Sequence, residues 1–345
     1  MRSVVYDGDD LCVLLSSQGA NNGVITFGSW LRHPLQDRPA VTAKGFGDGV
    51  FVNRGVDELH VVPRRNHWYQ SAEMDEVERL AHSFAASRKV VTYGSSMGGY
   101  GAALMSAQLG VPAVALAPQF TLDAEIVPWE TRWREDVGMI ERFDTEAMTR
   151  RGPASGYLFY DPFTVLDSRQ VNLFRGCSNL TFVPCPFSGH ATSSLVNRIY
   201  SLKRLVLEVL DGSFSVAKFI ETRRSSGRER DDMYVAMLYV QAVNRKKATV
   251  EAWAETRLNA LEGQLGAKAL RTLYSFEMHR GRKDLAAGWA EAASRLSPAT
   301  AGDCFVAAKL ATHAKLYDKA REILSHGLSI APSNMALRRE LASLA

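Results

Sequence analysis

The chain has 345 residues, more than one core usually organises, so two domains are expected. Hydrophobic and charged fractions of 46% and 23% are those of an ordinary folded protein and exclude disordered or fibrous classes. The net charge of +4 is small, with basic residues scattered among acids, and points to no nucleic-acid partner. Four cysteines, at positions 12, 177, 185 and 304, have neither metal-ligand spacing nor the density of a disulfide framework. The opening MRSVVYDGDDLCVLL lacks a basic stretch followed by a long apolar one. No run reaches the roughly eighteen apolar residues of a membrane span, so a cytoplasmic protein is expected.

Taken in chain order, eight apolar runs read as strands: residues 3–6, 11–16, 23–27, 58–63, 89–93, 113–117, 157–160 and 180–184. Helical stretches interleave from the fourth run onward. That run is followed by Arg64-Arg65-Asn66-His67-Trp68-Tyr69, whose arginines suit an anionic substrate and whose aromatics suit a flat one. A plain core-covering role for the aromatic pair is the favoured expectation. Residues 91–99 then read VTYGSSMGG: a β-branched run, the pattern Gly94-Ser95-Ser96-Met97-Gly98, and small residues opening a helix. A serine on a strained strand-to-helix turn collides with its neighbours unless the positions two before and two after it lack bulk. Gly94 and Gly98 meet that need, and Ser96 is the candidate nucleophile.

A serine nucleophile needs a general base and an orienting acid, which in this kind of site follow it in the order Ser, Asp or Glu, His. The run GYLFY ends in Asp161-Pro162, and LTFVPCPF ends in Ser188-Gly189-His190. Each candidate thus stands just past the C-terminal end of a strand, where an open α/β sheet presents functional groups. Of the eight histidines, His190 is the one between Asp161 and the helical C-terminal region, and it is the expected base. Three aspartates compete for the acid. Asp161 ranks first, because a strand end fixes a carboxylate more rigidly than a helix surface does; its alternative role is to cap the backbone from Phe163 onward. Asp167 falls on the following helix, and Asp123 follows the sixth strand.

The ordered strands and the elbow together make residues 1–215 resemble the α/β-hydrolase superfamily. The resemblance implies an α/β fold with a mostly parallel sheet and flanking helices. It also implies an oxyanion hole from the backbone N–H of Met97 and a second donor in the loop Phe27-Gly28-Ser29-Trp30, assigned to Ser29. Many relatives have His-Gly where this chain has Phe-Gly. The insertion at residues 122–153, which carries Trp129, Trp133 and Met139, takes the place where relatives hold a cap over the site. The chemistry so implied needs neither metal nor cofactor.

A polar linker is expected over residues 216–232, on the strength of TRRSSGRERDD at 222–232. Beyond it, residues 233–345 read as helical throughout, with Pro298 and Pro332 lying 34 residues apart. The same shift superposes Asp284 on Asp318 and Ala286 on Ala320, and it is the tetratricopeptide period. Two repeats are expected, at 267–300 and 301–334, with a terminal helix at 335–344 and an irregular first unit at 233–266. Tyr274 stands where such repeats usually have a small residue and Lys315 where they usually have a turn glycine.

The function these features point to is a serine hydrolase that cleaves an ester, or less readily an amide, in a small-molecule or acylated substrate. Its triad is Ser96, His190 and Asp161; the resemblance to tetratricopeptide repeats implies that the helical region docks a protein partner, with a purely structural helical annex as the equal alternative. Acyl transfer by the same triad and a catalytically silent adaptor are the alternatives. Retention of serine, acid and histidine in order weighs against the silent adaptor.

Overall fold

All eight predicted runs are strands: β1 (Arg2–Asp7), β2 (Leu11–Ser16), β3 (Asn22–Phe27), β4 (Asp57–Pro63), β5 (Lys89–Ser95), β6 (Pro112–Leu116), β7 (Ser155–Tyr160) and β8 (Leu180–Pro184). The computed structural model describes every residue except 1, 34, 36–38, 141, 142, 144–151, 178, 262, 297, 299 and 345, so part of the 122–153 insertion lies outside the described residues. The strands form one sheet in the order β1-β2-β4-β3-β5-β6-β7-β8. Pairing is antiparallel between β1 and β2 and between β2 and β4, and parallel from β4 through β3 to β8.

Helices cover both faces. On one face α1 (Met74–Ala85), α2 (Met97–Leu109) and, through Val171, the later part of α4 (Val165–Leu173) pack against residues such as Ile25 and Val90. On the other, α5 (Thr192–Ile199), α6 (Leu202–Asp211) and α7 (Val216–Arg230) pack against Val24, Val91 and Tyr93. Successive residues of β5 therefore alternate between two cores, as a central parallel strand must. A short helix, α3 (Arg134–Val137), lies in the insertion after β6. The sheet brings the C-terminal ends of β3, β5, β6, β7 and β8 to one edge, and the site is built there.

The stretch after His190 is two helices, α5 and α6, separated at Ser201, where φ is +72°. One expectation needs correction. The expected linker at 216–232 is almost wholly helix α7. Phe219 in that helix is fully buried, and the nearly buried Arg223 donates through Nη2 to the Pro186 carbonyl at 2.6 Å. The apolar residues of VAKFI hold this segment to the sheet, and the basic run that follows hides them from a compositional reading. The chain accordingly divides into compact units Met1–Arg223 and Arg224–Ala345.

The second unit is built of the hairpins α8 (Asp232–Asn244) with α9 (Ala248–Ala260), α10 (Ala267–His279) with α11 (Lys283–Ser294), and α12 (Ala301–His313) with α13 (Tyr317–Ile330), followed by α14 (Met335–Ala342). Ala286 and Ala320, superposed by the 34-residue shift, are both fully buried. Each hairpin turns through a residue of positive φ: Lys246 at +52°, Gly281 at +75° and Lys315 at +62°. The same turn is thus made three times, once with the residue that adopts it freely and twice without.

Cys12, Cys185 and Cys304 are buried, Cys177 is half-buried, and all four are free thiols. Among the described residues no helix is long and apolar enough to cross a membrane.

Candidate active site

Ser96 sits between β5 and α2 with φ +55° and ψ −120°, a conformation costly for any residue with a Cβ. Its N–H donates to Leu116 of β6 at 2.8 Å, and its carbonyl accepts from Tyr100 in the first turn of α2. The flanking glycines are steric necessities. A Cβ on Gly94 would lie 2.0 Å from the Gly98 carbonyl oxygen, and one on Gly98 would lie 2.3 Å from that of Phe27. Backbone atoms cannot give way as a flexible side chain does, so the elbow admits nothing larger at either position.

The hydroxyl so presented meets the histidine expected from the sequence. Ser96 Oγ lies 2.9 Å from His190 Nε2 and 3.4 Å from the Oε1 of the fully buried Gln119. The other ring nitrogen faces a different acid from the one ranked first. His190 Nδ1 lies 3.0 and 2.9 Å from the two carboxylate oxygens of Asp167, which is fully buried in the first turn of α4.

Asp161 does the work of its alternative role. Its Oδ1 accepts from the N–H of Phe163 at 2.9 Å and of Phe187 at 3.1 Å, and its Oδ2 accepts from the N–H of Gly189 at 2.7 Å. It thereby ties the loop before His190 to the end of β7, while Asp167 addresses the ring itself. Asp123 caps its own turn, accepting from the N–H of Glu125 at 2.9 Å. The rigidity argument that favoured Asp161 fails because Asp167 is no surface residue. Asp167, Gln170 and Val171 form the buried stripe of α4, a spacing of i, i+3, i+4 that was open to recognition.

Asp167 also receives a cation. Arg132 Nη1 lies 2.6 Å from its Oδ1, while Nε and Nη2 of the same guanidinium bind the two oxygens of Glu130 at 2.9 and 2.7 Å. Burial works to raise the Asp167 carboxyl, but the hydrogen bond from His190 and the charge of Arg132 hold it below the ordinary carboxylate range. Trp133, next in the chain, sets its ring 5.5 Å from that of His190 and 4.8 Å from that of Trp68. The expected cap thus reaches the site directly, and Glu130 and Arg132 are the residues that sequence reasoning missed.

The loop after β3 is fixed at several points. Tyr69 donates from its hydroxyl to the Gly28 carbonyl at 2.7 Å, and Ser29 from its hydroxyl to the Ser95 carbonyl at 2.8 Å. Asn66 clamps Leu31, accepting from its N–H at 2.7 Å and donating to its carbonyl at 2.9 Å. Asp136 of α3 then receives Trp30 Nε1 at 2.7 Å and Asn66 Nδ2 at 3.2 Å. The insertion is therefore bonded to this loop as well as to Asp167.

The segment after β4 is occupied by the protein itself. Arg64 pairs with Asp7 and Arg65 with Asp10, while Trp68 and Tyr69 are each only 2% exposed. His67, equally buried, accepts from the Tyr69 N–H through Nδ1 at 3.0 Å, and its buried Nε2 meets no partner among the described residues. Burial pushes its pKa down from 6.5 to about 4. The unfolded chain takes up this proton below about 6.5 and the folded chain only near 4, so the stability is whole above the window and is lost as pH falls through it. The expected loss is about 3 kcal/mol. Urea unfolding of His67→Asn, which keeps an acceptor for the Tyr69 N–H, should show a flatter dependence between those pH values than the native chain. Parallel pH dependences would rule out this assignment.

One cluster has a donor set suited to a metal. Ligand atoms of Asp48, Glu58 and His60 lie within 4.8 Å of one another. These groups already bond to protein. His60 Nδ1 lies 2.6 Å from Thr26 Oγ1, Glu58 accepts from the N–H groups of Gly49 and Phe51, and Asp48 pairs with Arg2 at 3.0 Å.

No protein-family model matches the chain. No curated protein matches it either. Among solved structures, it is similar to the crystal structure of Mycobacterium tuberculosis MPT51, at 13% identity and a TM-score of 0.36, over 59% of this chain and 94% of that one. The architecture is a mostly parallel eight-stranded α/β sheet with flanking helices, followed by a run of helices.

Proposed function

We propose that the N-terminal unit is a serine hydrolase acting through Ser96, His190 and Asp167 on an acyl ester. The observation that carries this is the continuous line of contacts, 2.9 Å from Ser96 Oγ to His190 Nε2 and 2.9 Å from Nδ1 to Asp167, at a strained elbow. As Ser96 Oγ attacks the acyl carbon, its proton passes to His190 Nε2 and the carbonyl oxygen takes the negative charge. When the intermediate collapses, the bond to the alcohol oxygen breaks and that oxygen receives the proton, leaving an acyl-serine. Water, activated by the same histidine, then releases the acid; another hydroxyl in its place gives acyl transfer.

Met97 opens α2, where backbone N–H groups have no partner within the helix, and we assign its amide to the oxyanion together with that of Ser29. Exposed apolar side chains stand on the same segments, Trp30 after β3, Ile126 and Met139 in the insertion and Val165 two residues before Asp167. They favour an apolar acyl group. The helical unit we read as a tetratricopeptide-like docking module for a protein partner, a reading supported by its thrice-repeated turn.

A fluorophosphonate probe tests the assignment without knowledge of the substrate, because it reacts only with an activated hydroxyl. It should label Ser96 alone, sparing the buried Ser95, and Ser96→Ala should be blank. Undiminished labelling of Ser96→Ala would remove this residue from its role.

A further inference from the structure

A guanidinium stands where a serine, a histidine and an acid suffice for the chemistry. Arg132 comes from the insertion after β6, yet its Nη1 lies 2.6 Å from Asp167 Oδ1 and 3.5 Å from His190 Nδ1. Glu130 grips the rest of the fork through both oxygens, which fixes the guanidinium plane as no single contact would. The Glu130 and Asp167 side chains are 3% and 0% exposed and that of Arg132 is 23% exposed, so bulk water screens these charges only in part. The guanidinium also lies 4.4 Å from the centre of the Trp133 ring, and that ring adjoins His190.

We infer that Arg132, braced by Glu130, is a positioning residue: it holds the Asp167 carboxylate square to His190 and sets the pH range over which His190 can take the Ser96 proton. This deepens the assignment of the Ser96, His190 and Asp167 triad and rests on it. The charges in contact with the imidazole are Asp167 from α4 and Arg132 from the insertion; Glu130 holds the far side of the guanidinium, and Asp161 binds the Gly189 N–H in the loop before the ring. When Ser96 gives up its proton, a second positive charge forms beside the guanidinium. Arg132 opposes that charge, and Glu130 offsets Arg132. Removing either partner therefore unbalances the site in opposite directions.

The rate of fluorophosphonate labelling at Ser96, followed against pH, reads this balance with no substrate required. Arg132→Gln should slow labelling and move the acidic limb of the profile upward by about one pH unit, the scale on which a neighbouring charge acts. Glu130→Gln, which removes no volume, should move the limb downward. Combining the two should bring the limb back toward its native position while the rate stays low, because Asp167 is then held by His190 alone. A residue that merely keeps the insertion folded would lower the rate and leave the limb unmoved. Ser96 labelled, with the limb unmoved in both single variants, would overturn the role of Arg132 and leave the triad standing. Native protein that takes up no label at Ser96 would overturn the triad and this role with it. If Arg132→Gln fails to fold, Glu130→Gln still decides, since the downward shift is expected of it alone.

Discussion

Ser96→Ala is expected to lower kcat for a p-nitrophenyl ester by about 10⁵-fold or more, and His190→Ala by a similar factor. The two act as one unit, since neither an unassisted hydroxyl nor a base with nothing to deprotonate performs the step. The double variant should therefore be no slower than either single one. Residual activity above the rate in water would come from the Met97 and Ser29 amides and from substrate binding. The thermal midpoint should hardly move in Ser96→Ala, because alanine occupies the same positive-φ position and the hydroxyl is not among the contacts that fix the elbow to β6. Additive losses in the double variant would show that the two residues do not share a step.

Asp167→Asn is expected to lower kcat by about 10⁴-fold with little change in KM. An amide facing Nδ1 favours the ring tautomer whose Nε2 carries the hydrogen, and that tautomer cannot accept the Ser96 proton. Asp161→Asn should behave differently. Its carboxylate accepts three backbone N–H groups, so an amide there should cost about 1 to 3 kcal/mol of stability. The loop before His190 would loosen with it, and kcat should fall by less than about 100-fold. Steady-state kinetics and thermal denaturation of both variants check the division of labour. A native thermal midpoint with crippled kcat in Asp161→Asn would reverse the two assignments.

The sheet was legible because its strands are apolar runs bounded by turns, and the local pattern suffices to form them. Ser96 was legible because the elbow imposes small residues at fixed spacing, and His190 because it stands at a strand end in the required order. The acid was not, since it is chosen by which carboxylate the folded helix turns toward the ring, and strand-end position is a poor guide to that. The buried stripe of Asp167, Gln170 and Val171 held the missing information. Arg132 and Glu130 left no comparable trace. Arg132 lies 35 residues from its partner Asp167, and nothing in the spacing of an Arg and a Glu within an insertion says what they will face. The misjudged linker has a related cause: five residues, VAKFI, decide where α7 packs, and the ten that follow in the helix, ETRRSSGRER, dominate its composition.

Burial pushes the thiols of Cys12, Cys177, Cys185 and Cys304 upward, away from the reactive thiolate. A Ser96→Cys protein would carry a single sulfur beside an imidazole, against a silent background. A thioester formed there adds the mass of its acyl group to the protein. Mass spectrometry of such a protein, recovered from cells, would read the acyl group that the native serine meets, and so name a substrate that shape alone leaves anonymous.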